Sequence, residues 1–153
     1  MQIVRCPDSL VGLDSPSLFL AGPSSAAPIG AWRDEVLTLL NDRSFPGTVL
    51  YPEPAGQAVT TEVQAMWDLR GCERATVVMF WIPRDLRTMP GLTSNFELGM
   101  WIRSGKVVVG SPPEADAMAY LRVLAAHFSV PQAETLIHTT RLAERLIAKR
   151  THR

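Results

Sequence analysis

The strongest constraint in this sequence is the run Val77-Val78-Met79-Phe80-Trp81, which lies inside a strand signal from Ala75 to Ile82 and stops at Pro83. Side chains alternate across a strand, so an unbroken apolar run is apolar on both faces. Such a strand needs cover on both sides, which is the setting of a parallel sheet between two helical layers.

The rest of the chain supplies those layers. Ser17-Leu18-Phe19-Leu20-Ala21 reads as a second buried strand ended by Gly22-Pro23, and a loop of small residues runs from Ser24 to Pro28. A helix is predicted from about Gly30 to Asp42, with Trp32, Val36, Leu39 and Leu40 on one face. Thr48 to Tyr51 is a strand stopped by Pro52 and Pro54, followed by loop to Thr61. A shorter helix ends near Glu73, its stripe formed by Val63, Met66 and Trp67. Beyond the central strand, a helix from about Ser94 to Ser104 turns Leu98, Trp101 and Ile102 inward, and Gly105 closes it. Val107 to Gly110 is another strand. A helix bearing Met118, Leu121, Ala125 and Phe128 runs to Pro131. A last one, about Gln132 to Lys149, carries Leu136, Thr140, Ala143 and Ile147 on one stripe. Alternating strands and helices give an α/β domain with a parallel sheet. The 153 residues fit one domain, its core at about 17–128.

Composition narrows the function. Formal net charge is zero, which disfavours a nucleic-acid polymer as partner. The two cysteines, Cys6 and Cys72, form no CxxC pair and have no histidine cluster nearby, so no metal site is expected. Scattered thiols, an N-terminus without a signal-peptide apolar core and the lack of a membrane-length apolar run point to a cytoplasmic protein. The GxGxxG and GxxxxGK[ST] phosphate loops are absent.

In a parallel sheet, ligands bind outside the carboxyl ends of the strands. The segments to search are therefore Gly22 to Ser25, Pro52 to Pro54, Pro83 to Glu97 and Gly110 to Glu114. Glu97 is the central candidate. In the first turn of a helix at that edge, a carboxylate is held as an anion by the helix dipole and can attack an anomeric carbon. The same residues, Ser94-x-x-Glu97, also spell a capping box, in which the glutamate only satisfies a backbone N–H. Asp68, on the helix before the central strand, is the candidate second carboxylate for proton transfer. A solvated helix aspartate is the alternative. Glu53, between two prolines, suits sugar hydroxyls or a turn. Gly22 allows close backbone approach, and Ser24 and Ser25 can donate to sugar or phosphate. Arg84 and Arg87 flank the loop and suit a 5′-phosphate, or solvent. Trp67 and Trp81 suit base stacking or, more readily, core packing.

Five pieces occur in order: Phe19-Leu20-Ala21-Gly22-Pro23, Trp32-Arg33, Pro52-Glu53-Pro54, Phe80-Trp81-Ile82-Pro83-Arg84, and Gly91-Leu92-Thr93-Ser94-Asn95-Phe96-Glu97-Leu98-Gly99. Together they resemble the nucleoside 2-deoxyribosyltransferase-like family over roughly residues 17 to 115. The resemblance implies a single-domain, doubly wound flavodoxin-like fold and a glutamate nucleophile that forms a glycosyl-enzyme intermediate; here the matching residue is Glu97. It also implies a small nucleoside or nucleotide as partner, substrate contacts from Gly22, Pro23, Ser24, Ser25, Glu53, Arg84, Thr93 and Asn95, no cofactor, and a homo-oligomer. The last helix has an apolar stripe and a basic outer face; a solvated face is its first reading and a subunit contact its second. The chain departs from the family pattern where an aspartate precedes the nucleophile, since the aligned place is near Gly91, and it lacks a tyrosine at the first strand end. Cleavage or transfer at an N-glycosidic bond is the expectation. A nucleoside 5′-monophosphate hydrolase and a non-catalytic nucleotide-binding module stand as alternatives.

Overall fold

The computed structural model describes residues 1–13, 16–24, 31–56 and 58–151. Its strands are β1 (Gln2–Arg5), β2 (Ser17–Ala21), β3 (Thr48–Tyr51), β4 (Val77–Trp81), β5 (Val107–Gly110) and β6 (Gln132–Ala133). Its helices are α1 (Trp32–Asp42), α2 (Thr61–Arg74), α3 (Leu92–Trp101), α4 (Ala119–His127) and α5 (Leu136–Thr151). The sheet order is β1-β3-β2-β4-β5-β6, and every pairing is parallel. Without the edge strand β1, this is the flavodoxin-like doubly wound order.

The apolar strands cover themselves by alternation. Leu18 and Leu20 of β2 and Val77, Met79 and Trp81 of β4 pack with Trp32, Val36 and Leu40 of α1 and Ala143 and Ile147 of α5. Phe19, Ala21, Val78 and Phe80 face the other way, onto Trp67 and Cys72 of α2, Leu98 of α3, and Leu121 and Ala125 of α4. Trp67 and Trp81 are both buried in these cores, and the Trp67 indole donates to the Asp8 carbonyl at 2.9 Å.

The chain path places the cleft. From β2 the chain passes through α1 to β3 on one side, then through α2 to β4 on the other. The crossover leaves a crevice beyond the carboxyl ends of β2 and β3, roofed by α2 and α3.

Several expectations are corrected. Gln2–Arg5 forms an edge strand that the pattern does not signal, because among its side chains only Val4 is fully buried. Gln132–Ala133 pairs with β5 rather than opening the last helix. That helix starts at Leu136, where the Thr135 hydroxyl accepts from His138 N–H at 3.2 Å. Val63 and Met66 are exposed, so α2 buries a narrower face than its stripe suggests. Phe128 is likewise largely outside the core, and Leu39 is only partly covered. The α5 stripe of Leu136, Thr140, Ala143 and Ile147 is spent on the sheet and leaves no free apolar stripe for a subunit contact. No described helix is long and apolar enough to cross a membrane.

Candidate active site

The crevice is a cleft of about 290 Å³. Phe19, Ala21, Gly22 and Ser24 reach it from β2 and its exit, and Pro52, Glu53 and Pro54 from the end of β3. Arg33 enters from α1, Gln64 and Asp68 from α2, and Thr93 and Glu97 from α3. A larger cavity of about 420 Å³ lies between residues 7–11 and α2. Its carboxylates, Asp8 and Glu62, are exposed to solvent. The smaller cleft holds the groups whose chemistry burial has altered.

Gly22 sets the geometry where β2 leaves the sheet. Its φ is +142°, and a Cβ there would run into the Trp81 carbonyl oxygen. Only glycine lets the two central strand ends approach so closely. Gly91 does similar work across the cleft. Its left-handed conformation begins α3, and a Cβ would lie 2.9 Å from the Pro23 ring.

That early start changes the reading of Glu97. With α3 beginning at Leu92, Glu97 lies in the second turn, and no acidic residue lies in the first. Ser94 falls inside the helix, and its buried hydroxyl has no partner among the described residues. The capping box is therefore not formed. The helix dipole, strongest within the first turn, does not hold Glu97 as an anion. Burial, and then the nearby Asp68 charge, push its carboxyl up to about 7, while Arg33 pulls the other way. Asp68 rises to about 6 through burial, opposed by a 2.9 Å hydrogen bond from the Gln64 amide and by Arg33. Asp68 is thus not a solvated helix aspartate. The two carboxyls, one turned in from each roof helix, both lie above the usual carboxylate range, and the charge of Asp68 contributes to the rise of Glu97.

Other candidates divide. Gly22, Ser24, Glu53 and Thr93 line the same cleft. Pro23 does not line it, but its carbonyl accepts from the Trp32 indole at 3.2 Å and from Arg33 at 3.1 Å. Arg84 is 5% exposed and turned away from solvent; it donates to the Asn95 side-chain oxygen and, at 3.5 Å, to the Gly91 carbonyl. Arg84 and Asn95 therefore brace each other behind the α3 start, and neither lines the cleft. Ser25 lies outside the described residues. Asp85 binds its own turn, accepting from the Arg87 and Thr88 N–H groups at 2.8 and 3.2 Å.

Two cleft residues, Gln64 and Arg33, are not among the candidate site residues, although Trp32-Arg33 is one of the pieces that carry the family resemblance. Gln64 stands one helical turn before Asp68, a spacing at which side chains meet, so the pattern was there to be read. Arg33 sits beside Trp32 on the side of α1 that packs inward, where a charged residue signals a buried partner.

No curated protein matches the chain in sequence. The family model described as nucleoside 2-deoxyribosyltransferase like matches residues 15–115, a segment that carries every described residue lining the cleft. Family match, doubly wound sheet and carboxylate-bearing crevice agree, and the chain belongs to the nucleoside 2-deoxyribosyltransferase-like family.

Proposed function

We propose that this protein cleaves or transfers at the N-glycosidic bond of a nucleoside or nucleotide, with Glu97 as nucleophile and Asp68 serving the departing base. The observation that carries this reading is the pairing of two half-buried carboxyls, from different helices, in the one cleft at the strand ends.

The pair suits a retaining displacement. Between about pH 6 and 7 it holds roughly one proton. As the C1′–N bond breaks, positive charge grows on the sugar and favours the anion of Glu97 beside it. The proton, which rests on Glu97 in the free cleft because Glu97 has the higher value, must pass to Asp68, from which it neutralises the electrons left on the base nitrogen. The Glu97 oxygen bonds to C1′, and a second base or water later takes the sugar. Glu53 and Ser24 stand at the cleft wall where hydroxyl groups of a sugar would lie. These residues accomplish the step with no metal or organic cofactor in the proposed route.

Arg84, bound to Asn95, does not line the cleft, so nucleoside and 5′-monophosphate both stand as substrates to be tested. The test is chromatography of reactions with nucleosides and their 5′-monophosphates, with and without an acceptor base. Release of base only with acceptor marks a transferase, and release in water marks a hydrolase. Binding without turnover by any substrate would leave a nucleotide-binding module and end the catalytic reading.

A further inference from the structure

Arg33 is the most deeply buried charged side chain among the described residues, at 2% exposure. Its Nε donates to the Leu20 carbonyl at 3.1 Å and its Nη2 to the Gly22 carbonyl at 2.7 Å. Its Nη1 donates to the Pro23 carbonyl at 3.1 Å and to Glu53 Oε1 at 2.5 Å. The guanidinium lies 4.3 Å from the Trp32 ring centroid, so its plane is also packed. One planar fork thus joins the exit of β2 to Glu53, two residues past the end of β3, along one wall of the cleft.

The same group faces the opposite wall electrostatically. The charged and titratable groups that act on it are Glu53 and Tyr51 from the β3 side, Asp68 from α2 and Glu97 from α3. For Asp68 and Glu97 in turn, Arg33 is the cation that favours ionisation. The thiols of Cys6 and Cys72, which also feel Asp68, stay protonated because burial raises them, and they add no charge.

We propose that Arg33 is the positioning residue of this cleft: it fixes the β2 exit against Glu53 and supplies the standing positive charge against which Asp68 and Glu97 ionise. The inference rests on the glycosidic reading only for the reaction that the pair serves. Burial drives both carboxyls toward the neutral form, and a buried cation is the counterweight. Glu53 is ion-paired with Arg33 and offsets part of the guanidinium charge. A lysine keeps the charge but cannot reach three carbonyls and a carboxylate in the geometry of the guanidinium fork.

Three variants separate these roles. Carboxyl-carbon NMR titration of protein labelled at Asp and Glu reads Asp68 and Glu97 directly, whether or not any nucleoside is turned over. Arg33→Met should move both titrations up by about one pH unit. Glu53→Gln should move them down, because it removes a negative charge and leaves the Arg33 field less compensated. Arg33→Lys should leave them in place while KM for nucleoside rises and the pH dependence of kcat holds. If Arg33→Met does not fold, Arg33→Gln, which removes the charge but keeps a hydrogen-bonding side chain, is the second neutral variant, and an upward shift of both titrations in it decides the question. Titrations that superimpose on wild type, with only a drop in melting temperature, would make Arg33 a brace and overturn the proposal. A wild type that releases no base removes the reaction but leaves the titrations to decide the role of Arg33.

Discussion

Glu97 is a residue at which fold and function pull in different directions. Its carboxyl is half-buried beside a second acid, which destabilises the anion that the proposed attack requires. Glu97→Gln should therefore abolish base release yet leave the fold intact, with a melting temperature at pH 8 equal to or above that of wild type. A large loss of stability would show that Glu97 is held by structural bonds instead. Asp68→Asn removes the neighbouring charge, so the Glu97 titration should move down from about 7. A titration that stayed put would mean that the two carboxyls do not interact. Gly22 carries the opposite burden. Gly22→Ala meets both a strained φ and the Trp81 carbonyl, and should cost about 3 kcal/mol or more in a urea melt.

At the scale of elements, the start of α3 shows how one backbone conformation reassigns several side chains. Gly91 in the left-handed region begins the helix at Leu92, which moves Ser94 from cap to interior and Glu97 from first turn to second. A working capping serine loses about 0.5–2 kcal/mol on change to alanine. Ser94→Ala should instead be neutral or slightly stabilising, since its buried hydroxyl has no partner to lose among the described residues. A destabilisation of the capping size in chemical denaturation would restore the capping box. The Ser-x-x-Glu spacing could not settle this, because the same residues fit a cap or an interior turn according to where the helix begins.

At the scale of the whole molecule, the carboxyl pair ties stability to pH. In the unfolded chain Asp68 and Glu97 have ordinary values of 3.8 and 4.5, and in the fold they rise to about 6 and about 7. Between these limits the folded state binds more protons than the unfolded one, so stability falls as pH rises. The melting temperature should decline from about pH 4.5 to about pH 7 and flatten above it. Asp85, held below its ordinary value by its own turn, works in the opposite sense but only at lower pH. A melting temperature that rose through this window would show that the pair is not buried as described. Assembly is also a property of the whole molecule. The α5 stripe is spent on the sheet, whereas Met66, Phe96 and Met100 stay exposed at 41%, 73% and 48% around a groove between α2 and α3 that Asp68, Thr93 and Glu97 also line. The homo-oligomer that the family resemblance implies would use that groove. Phe96→Lys should then convert it to monomers in light scattering, and a wild-type monomer would remove the expectation.

The central strands, the α/β class and the candidate edge of the sheet are legible in the amino-acid order alone. These follow from local facts: unbroken apolar runs, proline and glycine stops, and the alternation of two periods along one chain. Glu97 and Asp68 were legible as candidates for the same reason, since each lies in a segment that the topology sends to that edge. Tertiary structure decided what the local pattern leaves open. Val4 and the pair Gln132–Ala133 become edge strands only because β3 and β5 offer them hydrogen bonds. Arg84 turns inward because Asn95 and the Gly91 carbonyl are there to receive it. Arg33, one apolar-face position among several on α1, becomes the buried centre of the cleft because four acceptors from two strand ends converge on it. The reason is the same in each case: burial and charge depend on neighbours distant in sequence, and only the folded chain brings them together.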